Sequence, residues 1–283
     1  MKTWIEVEAR FNERPADTSV FAEAFERFGC HSSLESEDPP AIKAYLEGFN
    51  GSSKMANDLR AVLLERGAAE VHLTEVPDED WSEIWKQHFK PRRIGRRIVV
   101  VPSWETFEAS EDDVIIGLDP GQAFGTGEHP TTRLCLELLE RFDIAERSVL
   151  DIGCGSGILA IAAAKLGATI VNAIDVDSSA VEISRKNARA NDVSLAVHQE
   201  EGFGNWSRGR MWDLILANIV SATLVRLASE VAGHLVPNGL WVVSGILQNN
   251  WNDVFEEATR CGFELIERTD EDDWIAAAFR SAS

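Results

Sequence analysis

The run Asp151-Ile-Gly-Cys-Gly-Ser-Gly157 constrains the fold of this chain more than any other stretch. It follows the apolar pair Val149-Leu150 and leads straight into Ile158-Leu-Ala-Ile-Ala-Ala-Ala-Lys165, which reads as a helix. Glycines at alternate positions let a backbone turn sharply at a strand end and approach a ligand closely, where any Cβ would collide. Gly153 and Gly155 are therefore expected to lie against that ligand. The dinucleotide fingerprint Gly-x-Gly-x-x-Gly sets a pyrophosphate on the helix N-terminus. Here the third glycine comes one residue early, and Asp151 sits two residues before the first. A carboxylate at that point suits an amine better than a phosphate. A plain strand-to-helix turn would use the same glycines, so the downstream residues decide.

The next apolar run, Ile170-Val-Asn-Ala-Ile174, ends in Asp175, as the second strand of a βαβ unit should. Asp175 is placed to accept both hydroxyls of a ribose, which supports a nucleoside without separating NAD from S-adenosylmethionine. Asp177, before Ser178-Ser179, fits a helix cap better. A third run, Asp213-Leu-Ile-Leu-Ala-Asn218, ends in a polar residue, and ligands in open α/β sheets collect at the carboxyl ends of strands. Asn218 is thus the leading candidate for a residue near the reacting atoms, although strand-end asparagines also serve in turns. Further strands are expected at Gly239-Leu-Trp-Val-Val-Ser-Gly245, Phe263-Glu-Leu-Ile-Glu267 and Trp274-Ile-Ala-Ala-Ala-Phe279. Together these runs predict an α/β class, and Asp151 with Asp175 and Asn218 points to S-adenosylmethionine.

A chain of 283 residues exceeds what one small domain needs, so two domains are expected. No apolar run approaches the ~18 residues of a membrane span, and the start lacks a signal-peptide apolar core, so a cytoplasmic protein is the default. Cys30, Cys135, Cys154 and Cys261 are scattered without Cys-x-x-Cys spacing, which argues against disulfides and a zinc site. Cys154 has no nearby histidine or lysine to activate it and reads as a small loop residue. A formal net charge of −20 disfavours tight nonspecific nucleic-acid binding and favours basic partners. The local exception is Lys86, Lys90, Arg92, Arg93, Arg96 and Arg97, which read either as a solvated connector or as a weak phosphate or RNA contact.

Residues 1–76 read strand (4–11), helix (19–28), strands (31–37 and 41–49), helix (54–66) and strand (70–76). That order is the split β-α-β, ferredoxin-like pattern, with turns at 38–40 and 50–53. The module carries no catalytic constellation and suits docking a partner, or simple packing on the larger domain. A short helix over 78–89 places Trp81 and Trp85 on one face. A linker over 77–97 then joins a domain over 98–283.

The second dense motif is Asp119-Pro-Gly-Gln-Ala-Phe-Gly-Thr-Gly-Glu-His-Pro-Thr-Thr132. It is no P-loop, because no lysine follows its glycines. Flexible, polar and aromatic together, it reads as a lid over a cofactor, with Phe124 and Gly125 in contact and Pro130, Thr131 and Thr132 opening a helix. His129 invites a general-base role, but a lone loop histidine is more often a structural hydrogen-bonder.

These residues carry a specific resemblance. The motif over 118–132, the glycine loop over 149–160, Ala173-Ile-Asp-Val-Asp177 and Ala217-Asn-Ile219 resemble the family of methyltransferases that act on protein L-eleven of the large ribosomal subunit. The likeness is dense from about residue 80 to 245 and weak in the first 76. It implies a ferredoxin-like substrate-recognition domain, a helical linker and a seven-stranded Rossmann-like methyltransferase domain whose last strand is antiparallel. It also implies methylation of the N-terminal α-amine and lysine side chains of a basic ribosomal protein. By family position Thr132, Gly153, Asp175 and Asn218 would contact S-adenosylmethionine.

Apart from the family, methyl transfer asks an enzyme to align two reactants and exclude water. An amine acceptor must first be neutral. Burial beside a sulfonium would disfavour a second positive charge, so a dedicated base is not required. Asn218 would orient the amine through its side-chain oxygen. The Asn-Pro-Pro-Tyr signature of enzymes acting on amides and base amines is absent, since Ile219 and Val220 follow. A small-molecule methyltransferase with an accessory domain and a noncatalytic adenosine-binding module stay open as alternatives. The extra N-terminal domain favours a protein substrate.

Overall fold

The computed structural model describes residues 3–13, 15, 18–30, 33–37, 39–47, 52–77, 89–119, 125 and 127–282. The chain divides into two compact units, Met1–Phe89 and Lys90–Ser283. The 38–40 and 50–53 turns fall in part, and Trp81, Trp85, Lys86 and Phe124 entirely, outside the described residues.

The first unit runs β1 (Thr3–Arg10), α1 (Ser19–Arg27), β2 (Ser33–Glu37), β3 (Pro40–Glu47), α2 (Ser52–Glu65) and β4 (Glu70–Pro77). Its sheet has the order β2-β3-β1-β4, with every neighbouring pair antiparallel. Alternation turns one face of the sheet toward an apolar core. Ile5, Val7 and Ala9 of β1 and Ile42, Ala44 and Leu46 of β3 share a core with Phe21 and Phe25 of α1 and Leu59 and Leu63 of α2. On the other face polar residues bond one another: Tyr45 Oη donates to Glu6 at 2.8 Å, and Lys43 pairs with Glu8 at 3.2 Å.

The second unit opens with β5 (Arg92–Ile94), β6 (Ile98–Val101) and β7 (Val114–Gly117), which form a small separate sheet. Then come α3 (Pro130–Arg141), β8 (Ser148–Ile152), α4 (Ile158–Lys165), β9 (Ile170–Asp175), α5 (Ser178–Ala190), β10 (Ala196–Gln199) and β11 (Trp212–Asn218). After these follow α6 (Ser221–Ala232), β12 (Leu235–Leu247), α7 (Trp251–Arg260), β13 (Phe263–Glu271) and β14 (Trp274–Ser281). The chain thus adopts a mixed α/β fold with a large, mostly parallel sheet, of order β10-β9-β8-β11-β12-β14-β13. Strands β10 to β12 pair in parallel, and β14 lies antiparallel between β12 and β13.

Both faces of this sheet are covered, which is why its central strands are apolar at nearly every position. Val149, Ala173 and Leu214 face a core shared with α3, α4 and α5, whereas Leu150, Ile174 and Ile215 face one shared with α6 and α7. From β8 the sheet grows toward β9 and β10 on one side and toward β11 and β12 on the other. The carboxyl ends of β8 and β11 therefore meet at a topological switch point, where open α/β sheets bind ligands.

The basic run departs from its expected place. Residues 90–97, assigned to a linker, belong to the second unit, because β5 pairs antiparallel with β6. Glu140 of α3 accepts from the amides of Arg96, Arg97 and Ile98 at 2.7, 2.6 and 2.8 Å, which fastens the hairpin to that helix. Lys90 pairs with Glu105, Arg93 forks onto Asp113, and Arg97 Nε donates to the Asp112 carbonyl. Acidic side chains thus pair with two of these cations, Lys90 and Arg93.

Candidate functional site

The turn between β8 and α4 is built on left-handed glycines: Gly153, Gly155 and Gly157 have φ of 71°, 52° and 83°. At Gly153 a Cβ would collide with Ile219 Cγ2, and at Gly157 it would strike Ser184. The amides of Gly153 and Cys154 both donate to the Ile174 carbonyl, at 2.9 and 3.0 Å, so the loop is drawn over the end of β9. Asp177 caps α5 by accepting from the Ser179 amide.

Asp175 ends β9 and binds the same loop. Its Oδ2 accepts from the Gly155 amide at 2.9 Å and its Oδ1 from the Asp177 amide at 3.0 Å. Each oxygen keeps a lone pair for a further donor. Asp151 lies in β8, buried. One oxygen accepts from the Ala160 amide at 3.2 Å, while Oδ1 has no partner among the described residues. Burial, with a smaller push from Asp175, raises its carboxyl to about 7.

At the end of β11, Asn218 Nδ2 donates to Thr132 Oγ1 at 3.3 Å, and Asn218 Oδ1 is buried without a partner among the described residues. Thr132 is fully buried in the first turn of α3. That turn is capped by His129, whose Nδ1 accepts from the Thr131 amide and lies 2.8 Å from Thr131 Oγ1. Burial is the main cause that holds the imidazole below its ordinary range. An Nδ1 that accepts from a backbone amide is unprotonated, so this histidine serves as a structural hydrogen-bonder at that nitrogen.

Two unpaired buried acceptors on neighbouring strands are costly unless a donor arrives. Asp151 Oδ1 and Asn218 Oδ1 thus fit a ligand that bears N–H groups, and Asp175 fits one that bears hydroxyls. A phosphate, itself an acceptor, does not suit this set.

Residues unmarked by the sequence reading complete the site. Ser156 Oγ donates to the Gly125 carbonyl at 2.6 Å, which ties the segment before α3 to the glycine loop. Gly125 is itself buried at φ 96°. Ile219 lies against both Gly153 and Gly245. A Cβ at Gly245 would run into the Ile219 backbone, and the Ile219 amide donates to the Ser244 carbonyl at 3.2 Å. The signal for Gly245 was present, since it closes the fourth apolar run; nothing local marks Ser156. Cys154 is buried, accepts from Ser184 Oγ at 3.5 Å and has its thiol pushed up by burial, as suits an inert loop residue. Among the described residues no group of acidic, histidine or cysteine side chains could hold a metal ion. Nor is any described helix long and apolar enough to cross a membrane.

A family model described as ribosomal protein L11 methyltransferase (PrmA) matches residues 5–282. A ribosomal protein L11 methyltransferase of Caldanaerobacter subterraneus subsp. tengcongensis is 41% identical over 253 residues, covering 87% of this chain and 81% of that protein. One from Geotalea uraniireducens is 40% identical over 273 residues, covering 89% and 86%. The crystal structure of a ribosomal protein L11 methylase from Lactobacillus delbrueckii subsp. bulgaricus superposes with a TM-score of 0.65 at 31% identity, over 69% of this chain and all (100%) of that one.

Proposed function

The chain belongs to the ribosomal protein L11 methyltransferase family, and from that premise we propose that it moves methyl groups from S-adenosylmethionine to amines of a ribosomal protein, L11 of the large subunit. The acceptors are the N-terminal α-amine and lysine side chains. The observation that carries the reading is the pair of buried oxygens, Asp151 Oδ1 and Asn218 Oδ1, without a partner among the described residues, on neighbouring strands at the switch point.

When bound, S-adenosylmethionine supplies a methyl activated by a sulfonium. Asp151 receives the ammonium of its methionine part and Asp175 its ribose hydroxyls. Gly153 and Gly155 let the backbone close on it, and Gly125 of the 119–132 segment is tied to that turn through Ser156. Thr132 holds the Asn218 amide nitrogen, so the Asn218 oxygen is fixed as an acceptor for the incoming amine. Free α-amines titrate near ~8 and lysines near ~10.4, so the site must favour the neutral form. A buried position next to positive charge does that without a proton-accepting side chain. His129, its Nδ1 engaged in the cap, is assigned to structure.

The seven-stranded sheet with antiparallel β14 is the Rossmann-like methyltransferase sheet of this reading. The β-α-β-β-α-β order of the first unit is ferredoxin-like, and its sheet order is consistent with that label. This unit is the substrate-recognition domain, and an acidic chain suits a basic ribosomal protein as partner. Incubation with methyl-labelled S-adenosylmethionine and purified ribosomal proteins tests the proposal. Label on L11 supports it; label confined to small metabolites, or none despite cofactor binding, refutes it.

A further inference from the structure

The turn joining β13 to β14 sits far along the chain from the glycine loop, yet it grips the first turn of α3 from two directions. His129 packs edge-on against Trp274, with ring centroids 4.9 Å apart and planes at 70°. Arg133 forks onto the Glu271 carboxylate, with Nε 3.2 Å from Oε2 and the second nitrogen on Oε1, and also donates to the Glu128 carbonyl. Glu271 and Trp274 are partners across the hairpin, so one two-residue turn presents both. Between them lie Asp272, with φ of 54°, and Asp273. The turn is itself held: Gln248, just past β12, donates its side-chain nitrogen to the Asp272 carbonyl and its amide to the Asp273 carbonyl, each at 2.9 Å.

An arginine in the first turn of a helix is electrostatically misplaced, because the amide ends there are positive. α3 has no acidic residue in its own first turn. The offsetting charge comes from Glu271, 138 residues away in sequence. Between the two gripped residues sits Thr132, which holds Asn218.

We propose that Glu271, Arg133 and Trp274 form a positioning brace that sets Thr132, and through it the Asn218 amide, in the geometry the cofactor and acceptor amine require. The brace rests on the site reading above. It acts through Thr132 and touches no reacting atom.

The test is calorimetric binding of S-adenosylmethionine to the full chain, with melting midpoints recorded alongside. Glu271→Ala should weaken binding about tenfold, and Glu271→Gln, which keeps an oxygen for Arg133, should recover most of that. In a Thr132→Val background the Glu271→Ala effect should shrink to about twofold or less, because coupled residues are not additive. Arg133→Lys, which keeps charge but loses the fork, provides a milder variant with the same expected coupling. An unchanged affinity, or the same loss in both backgrounds, overturns the brace. A wild-type chain that does not bind S-adenosylmethionine removes the site reading, and the brace with it.

Discussion

Asn218 and Thr132 are bonded through Nδ2 and Oγ1 at 3.3 Å, which joins the end of a central strand to the first turn of a helix 86 residues earlier in sequence. The bond takes one of the two N–H donors of the Asn218 amide, while its oxygen is buried and unpaired among the described residues. Asn218→Ala should therefore remove an acceptor from the reacting centre, and a misplaced acceptor group costs roughly 100-fold in rate. Because Thr132 stays in place, cofactor affinity should change far less than turnover. Steady-state kinetics with both substrates varied checks this; unchanged turnover would remove Asn218 from the site.

Asp151 predicts a pH dependence with a definite sign. Its carboxyl rises from 3.8 to about 7 on burial, so the folded chain holds a proton that the unfolded chain has released. This group's contribution to stability is full below about pH 4 and is lost as pH climbs toward 7. Asp151→Asn should thus gain in melting midpoint over the wild type as pH rises across that window. An ammonium ligand favours the ionised form, so S-adenosylmethionine binding near neutral pH should release protons, and the dissociation constant should fall as pH rises through about 7. Calorimetry in two buffers of different ionisation enthalpy measures the release. Loss of a charged hydrogen bond in Asp151→Asn should weaken binding by about 1.5–3 kcal/mol.

Gly153→Ala places a Cβ at φ 71° against Ile219 Cγ2. The strain should cost about 1–3 kcal/mol in melting stability and disturb the cofactor turn. Ile219→Ala alongside should return the part of that loss due to collision, leaving the part due to backbone conformation. A double variant no better than Gly153→Ala would mean the clash carries no cost.

Cys154 should be dispensable for chemistry. Its thiol is buried and pushed toward the neutral form, so Cys154→Ala should transfer methyl groups within about threefold of the wild type, since an inert structural cysteine contributes packing and no thiolate. A collapse in turnover with intact folding and cofactor binding would contradict this.

Much of the second unit was legible because its signals are local. The glycine turn, Asp175 and Asn218 each stand at the end of an apolar run, and a parallel sheet buried on both faces writes such runs plainly. What could not be read is the pairing between distant segments. Nothing near Thr132 announces Asn218, and nothing near Arg133 announces Glu271, because those partners are chosen by sheet order. The basic run hides its partners for a related reason: its cations look free in sequence, and the segment from β5 to β7 brings Glu105 and Asp113 beside two of them. His129 allows a general-base and a structural reading in sequence, and the cap geometry of α3 shows its Nδ1 engaged with the Thr131 amide.

We propose that the Asp151, Thr132 and Asn218 constellation serves methyl transfer to protein amines. Mass spectrometry of purified L11, incubated with S-adenosylmethionine and either the wild-type chain or Asn218→Ala, tests it most directly. The wild type should add methyl groups to the N-terminal amine and lysine side chains, and the variant should add few or none while still binding the cofactor. L11 unmodified by a wild-type chain that binds S-adenosylmethionine, or modified equally by both, would contradict the account.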